Sequence, residues 1–220
     1  MKNLLARTSR LTLGFLLCAL STVLALHSNL GLSPWDVFHQ GLANVTGMTI
    51  GQASIVVGVV IVIGTAISGL EIGLGTIANM IVIGCFIDLI IYAKIIPESN
   101  SLFTGLLMIL GSLVVGALGS YLYIGCEMGC GPRDGLMVAL VKRTNKPISL
   151  IRLCIESCAL FIGWLMGGTV GIGTLITALG LGITMQMVFK IFKVDIKALH
   201  HSSIKRSLVF LKEAVTGQIK

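Results

Sequence analysis

The chain has 220 residues, of which 55% are hydrophobic and only 11% are charged. A soluble domain carries about 25% charged residues, so this composition excludes an ordinary soluble protein and indicates an integral membrane protein. The net charge of +7 comes from basic residues that leave a gap between Arg10 and Lys94, which excludes the continuous basic surface of a nucleic-acid-binding protein.

Six apolar segments are long enough to cross a bilayer as helices. They cover residues 11–26, 51–68, 74–92, 102–124, 149–167 and 173–192. Their uniformly apolar character lacks the alternation of a membrane β-barrel strand. The sequence therefore predicts an all-α membrane protein with six transmembrane helices.

The first segment follows Lys2, Arg7 and Arg10, as the apolar core of a signal peptide would. Part of this segment belongs to an internal repeat, and no small-x-small cleavage site follows it. We therefore expect an uncleaved transmembrane helix.

The sequence Ser-Pro-Trp-Asp at 33–36 is typical of a helix start. Serine is a favoured N-cap, proline suits the first helical position, and the acid lies three residues after the cap. Gly-Pro-Arg-Asp at 131–134 repeats the pattern with glycine as the cap. The segments 35–44 and 133–141 are too short to span a bilayer, so each is a predicted half-helix that either enters the membrane or lies on its surface.

The exposed amides and the positive dipole end of each helix start are suited to an anionic group. The first substrate-binding candidates are therefore Ser33, Asp36, Arg133 and Asp134. A purely structural cap is the alternative, because the two aspartates would partly neutralise an anion site.

A Gly-x-Gly-Thr motif opens the third span at 73–76 and the sixth at 171–174. A nucleotide-binding glycine loop follows a strand, and each motif here follows a membrane span, so that function is excluded. Paired glycines favour tight helix packing, with a broken, cavity-lining backbone as the alternative. The alternative adds six substrate-binding candidates: Gly73, Gly75, Thr76, Gly171, Gly173 and Thr174.

Acidic residues inside a membrane are costly and usually functional. Glu156 and Asp88 are the candidates for proton coupling. Arg152 precedes Glu156 by four residues on the same helix face, so a local ion pair is the alternative. Asp88 lies only six residues before Lys94, so it also fits an interfacial position.

The six cysteines do not form a recognisable metal site. Four lie within spans, where cysteine behaves as a small apolar residue, and Cys126 and Cys130 have no neighbouring histidine. We find no nucleophile–base pair either. We therefore expect no metal, no cofactor and no enzymatic activity.

Residues 19–84 align without a gap to the residues 98 positions later. Pro34 meets Pro132, Asp36 meets Asp134, and the two Gly-x-Gly-Thr motifs coincide. Such duplication in an apolar chain is typical of transporter folds. The predicted organisation is repeat 1 at residues 1–95, repeat 2 at 96–192 and a tail at 193–220.

Lysine and arginine concentrate before the first span, after the fourth and after the sixth. The positive-inside rule then places both termini in the cytoplasm. Because each repeat has three spans, the second must enter the membrane from the opposite side, which predicts an inverted 3+3 repeat.

The tail mixes apolar and basic residues, which predicts either an amphipathic helix on the anionic inner leaflet or a frayed basic terminus.

Four blocks carry a resemblance to a known family: Leu-Gly-Leu-Ser-Pro-Trp-Asp-Val at 30–37, Gly-x-Gly-Thr-x-x-Asn at 73–79, Gly-Pro-Arg-Asp-Gly-Leu-Met at 131–137 and Gly-Gly-Thr-Val-Gly-Ile-Gly-Thr at 167–174. Over about residues 1–190 the chain resembles the YczE-type bacterial membrane proteins, which are related to the YitT and YyaS groups. The resemblance implies a multi-pass protein of the bacterial cytoplasmic membrane with a poorly defined role, and it supplies no catalytic residues.

The leading hypothesis is a small-solute transporter or permease, with homodimerisation as an option, that moves its solute between the two repeats. The alternative is an accessory or regulatory membrane protein that binds a protein partner through its basic tail.

Overall fold

The computed structural model describes residues 2–69, 73–126, 128–129 and 131–193, with side chains throughout except at residues 2–5, 134, 148 and 149. Glu71, Glu127, Cys130 and the tail from residue 194 lie outside the described residues. The described chain forms eight helices: α1 (Lys2–His27), α2 (Pro34–Thr46), α3 (Ile50–Ile67), α4 (Leu74–Ala93), α5 (Leu102–Ile124), α6 (Pro132–Thr144), α7 (Ile148–Leu165) and α8 (Ile172–Ile191). The predicted all-α class is confirmed.

Within the described residues, five helices are long and apolar enough to cross a membrane: Ala6–His27 of α1, and all of α3, α4, α5 and α8. The remaining predicted span corresponds to α7, which has 18 residues. Helices α2 and α6 have 13 residues each. At about 1.5 Å per residue they reach roughly 20 Å, well short of a hydrocarbon core of about 30 Å.

The helix starts follow from local capping chemistry. Ser33 is the N-cap of α2, and its hydroxyl accepts a hydrogen bond from the backbone N–H of Asp36, as the sequence predicted. Thr49 and Gln52 form a capping box at the start of α3. Gly131 is the N-cap of α6, where no side chain caps the backbone.

Helices α1 and α5 pack along each other in opposite directions, because residues later in α1 contact residues earlier in α5. A Cβ at Gly14 would lie 3.0 Å from the carbonyl oxygen of Gly119, and the Ser21 hydroxyl donates to the Ser112 carbonyl at 2.7 Å. Small residues allow this close approach, and small-residue contacts hold helices together in lipid.

Two main-chain hydrogen bonds join equivalent positions of the two sequence repeats. The Gly75 N–H donates to the Met128 carbonyl at 2.8 Å, and the Gly173 N–H donates to the Leu30 carbonyl at 2.7 Å. Both donors and both acceptors are 98 positions apart in the sequence. Each glycine motif therefore packs against the loop that precedes the short helix of the other repeat.

Candidate functional site

A cavity of about 290 Å³ lies where α2 and α6 begin. Both helix starts contribute to its wall, together with residues from α1, α3, α4, α5, α7 and α8. Its hydroxyl-bearing lining residues include Ser21, Thr22, Ser54, Ser112, Ser120 and Thr177. An interior so rich in hydroxyl groups is unusual for a space between apolar helices, because polar groups are costly in a membrane.

Asp36 lies at this cavity and is only 8% exposed. The Ser33 hydroxyl donates to its Oδ2 at 2.5 Å. Its Oδ1 lies 3.6 Å from Nδ1 of His39. Asp36 therefore both completes the α2 cap and presents negative charge to the cavity.

Arg133, from the start of α6, reaches the same carboxylate. Its Nη2 lies 3.7 Å from Oδ1 of Asp36, and its Cζ lies 5.1 Å from the centre of the Trp35 ring. The Arg133 side chain is 44% exposed, so the guanidinium borders open space. The two helix starts thus bring opposite charges from the two sequence repeats to one cavity.

Glu156 also lines the cavity and accepts a hydrogen bond from Nε of Arg152 at 2.9 Å. This is the local ion pair that the sequence left as an alternative to proton coupling. Both side chains are partly exposed, so the pair contributes little stability. Because Glu156 lines the cavity, it is still a candidate for proton coupling, and that role stays a prediction.

The glycine motifs lie elsewhere. Within the described residues, the cavity lining includes none of their six candidate positions, Gly73, Gly75, Thr76, Gly171, Gly173 and Thr174. A Cβ at Gly173 would lie 2.7 Å from the Gly31 carbonyl oxygen, and one at Gly75 would lie 2.8 Å from the Met128 carbonyl oxygen. Tight packing, the interpretation that the sequence favoured, accounts for this geometry.

Asp88 lies near the end of α4, at a second cavity of about 620 Å³. Its carboxylate accepts hydrogen bonds from the Thr49 hydroxyl at 2.5 Å and from the Gly51 N–H at 2.9 Å. It therefore fixes the start of α3. Of the remaining candidates, Asp134 lies in the first turn of α6, and its side chain is outside the described part.

We expect Asp88→Ala to destabilise the protein without changing ligand affinity at the central cavity. Losing this cap should cost about 1–2 kcal/mol and lower the Tm in detergent by a few degrees. Glu98→Ala, at the same second cavity, is the control and should leave the Tm unchanged. Equal Tm values for the two variants would contradict the capping role.

Sequence reasoning missed two parts of the site. His39 was not among the candidate residues, yet it is 3% exposed and lies 3.6 Å from Asp36. The spacing of three residues on one helix was the available signal. The position of Trp35 beneath Arg133 had no comparable signal, because the contact joins distant segments. Among the described residues, no group of three or more His, Cys, Asp or Glu side chains is arranged to hold a metal ion.

Residues 5–190 match the model of a family described as a family of unknown function, DUF6198. The chain is 35% identical over 185 residues to an uncharacterized protein of Haemophilus influenzae, an alignment covering 82% of this chain and 84% of the relative. It is 36% identical over 160 residues to the uncharacterized membrane protein YczE of Bacillus subtilis (71% and 73% covered), and 30% identical over 168 residues to the uncharacterized protein YyaS of the same organism (75% and 83% covered). No solved structure matches the chain. The similarity to YczE and the apolar helices agree in indicating a membrane location.

Proposed function

This chain belongs to the DUF6198 family, whose function is unknown, and we propose that it is a small-solute transporter of the bacterial cytoplasmic membrane that moves its substrate through the central cavity. The observation that carries the proposal is the meeting of two equivalent helix starts at that cavity. Pro34 and Pro132, 98 positions apart, both line it. Transporters built from repeats bind their substrates where the repeats meet, beside the ends of interrupted helices.

The architecture that we propose is an inverted 3+3 repeat, with α7 as the sixth crossing. Two observations support it: the antiparallel packing of α1 against α5, and the reciprocal bonds of Gly75 and Gly173. In this arrangement α2 enters the membrane from outside and α6 from the cytoplasm. The distribution of lysine and arginine supports cytoplasmic termini.

The charged groups give the cavity its transport chemistry. Asp36 comes from repeat 1 and Arg133 from repeat 2, so their 3.7 Å contact links the two halves across the substrate path. Charged residues in a membrane interior are costly and typically mark substrate or ion pathways. A substrate that competes for this contact would loosen the link, and the halves could then move relative to each other.

A bulky side chain at the cavity wall should block this path. Ala178 lines the cavity and is exposed, so Ala178→Phe inserts a ring without displacing buried atoms. We expect it to reduce uptake at least tenfold in proteoliposomes carrying the purified protein, measured with whichever solute a broad screen finds to accumulate.

Leu179→Phe is the matched control, because Leu179 is 73% exposed and lies outside the described cavity lining. It should transport as the unchanged protein does. Undiminished uptake by Ala178→Phe would remove the cavity from the path, and failure of every solute in the screen to accumulate would count against transport itself.

A further inference from the structure

We propose that the central cavity binds a small carboxylate anion with an apolar body, held by the N–H edge of Arg133. This inference rests on the proposed function, since it names the substrate class of the same cavity. Arg133 brings N–H donors to the cavity wall, and these donors make no hydrogen bond to Asp36.

The guanidinium of Arg133 lies over the Trp35 ring and makes no hydrogen bond to Asp36. Its Cζ lies 5.1 Å from the Trp35 ring centre, which is a cation–π distance. The closest approach to Asp36, 3.7 Å, is longer than a hydrogen bond. A guanidinium carries five N–H donors in its plane, and this fork matches the two oxygens of a carboxylate. The contact with Trp35 therefore positions the guanidinium at the cavity while its N–H donors make no hydrogen bond to Asp36.

Asp36 already has neighbours on both carboxylate oxygens. Its Oδ2 accepts a hydrogen bond from the Ser33 hydroxyl, and its Oδ1 lies 3.6 Å from Nδ1 of His39 and 3.7 Å from Nη2 of Arg133. An incoming cation would compete with Arg133 for Asp36. An incoming carboxylate would instead accept hydrogen bonds from the guanidinium of Arg133, which makes none to Asp36.

His39 also lines the cavity, and its buried Nδ1 lies 3.6 Å from Oδ1 of Asp36, without a hydrogen bond to the described residues. The α6 dipole favours negative charge in the first turn beside Arg133, where Asp134 lies.

The remaining wall is suited to a hydrocarbon group. Apolar side chains from four helices surround the charged groups: Val57, Ile61, Met137, Ile155 and Met185. A cavity of about 290 Å³ holds a body of roughly six carbon atoms with its carboxylate. Inorganic phosphate would bring the charge but would leave this apolar wall unfilled.

Binding is tested with the full-length protein in detergent, in a Trp164→Phe background that leaves Trp35 as the single tryptophan. The probe is cyclohexanecarboxylate. Cyclohexylammonium is the comparison compound with the same ring and a positive charge, and inorganic phosphate is the comparison anion without an apolar group. We expect only cyclohexanecarboxylate to change Trp35 fluorescence saturably and to raise the Tm. Arg133→Gln should weaken this binding at least tenfold, and Arg133→Lys, which keeps the charge but loses the fork, should weaken it several-fold.

Arg143→Gln is the control, since Arg143 is an exposed arginine on the same helix, outside the described lining. It should bind the probe unchanged. If Arg133→Gln does not fold, Arg133→Lys decides the question. The proposal is overturned if cyclohexylammonium or phosphate binds as well as the carboxylate, if no probe binds, or if the two glutamine variants behave alike.

The two proposals fail separately. If the protein takes up a solute that is not a carboxylate and Ala178→Phe blocks this uptake, the carboxylate proposal is refuted and the transporter proposal stands. If a carboxylate binds in a way that depends on Arg133 but no solute is transported, the transporter proposal is refuted and the carboxylate-binding proposal stands.

Discussion

Asp36→Ala is expected to abolish uptake and to lower the stability of the folded protein. The substitution removes the counter-charge of Arg133 and the acceptor of the Ser33 hydroxyl at once. Breaking a fully buried ion pair costs about 3–5 kcal/mol, but Arg133 is 44% exposed, so we expect about 2 kcal/mol in total. The Tm in detergent and proteoliposome uptake measure the two effects.

A double-mutant cycle measures the interaction free energy between Asp36 and Arg133 separately from what each side chain contributes alone. If Asp36 and Arg133 interact as described, Asp36→Ala combined with Arg133→Gln should cost less stability than the sum of the single changes. Additive losses would mean that the 3.7 Å approach carries no interaction energy. Asp88→Ala provides the comparison outside the cavity, with a lowered Tm and normal uptake by the protein that remains folded.

Gly173→Ala is expected to destabilise the protein strongly, whereas Gly182→Ala, on the same helix, is expected to be harmless. A Cβ at Gly173 would lie 2.7 Å from the Gly31 carbonyl oxygen, and nothing lies within 4 Å of a Cβ at Gly182. Because the obstacle at Gly173 is main chain, the loop at 30–31 and α8 must separate, and the bond from Gly173 to Leu30 weakens.

The expected cost at Gly173 is about 2–4 kcal/mol, from overpacking and a lost hydrogen bond. At Gly182 alanine should be neutral or stabilising by up to about 1 kcal/mol, because alanine is the better helix former. Denaturation in detergent measures both. If Gly173→Ala and Gly182→Ala lower the free energy of unfolding by similar amounts, the close packing against Gly31 is not the reason for glycine at position 173.

Much of the helical framework was predictable because hydrophobicity and capping act locally. The predicted span 102–124 coincides with α5, and the Ser33 cap of α2 was read from four residues. The family resemblance was also confirmed. The span of α5 and the cap of α2 are each decided by residues that are close in sequence, so neither prediction needed information about distant contacts.

The candidate site was only partly predictable, because the contact between Asp36 and Arg133 depends on how deeply α2 and α6 lie in the membrane. The sequence of a 13-residue helix is compatible with a position on the membrane surface and with one inside the membrane. Asp36 and Arg133 were each selected for their own helix start, and the predicted topology assigned their loops to opposite sides. Only the fold reveals that both helix starts reach one cavity.

The crossed bonds of Gly75 and Gly173 also bear on how the protein assembles during synthesis. The amide of Gly75 is synthesised well before the carbonyl of Met128. The hydrogen bond between them can therefore form only after the loop that precedes α6 has been made, so the two repeats complete their packing together.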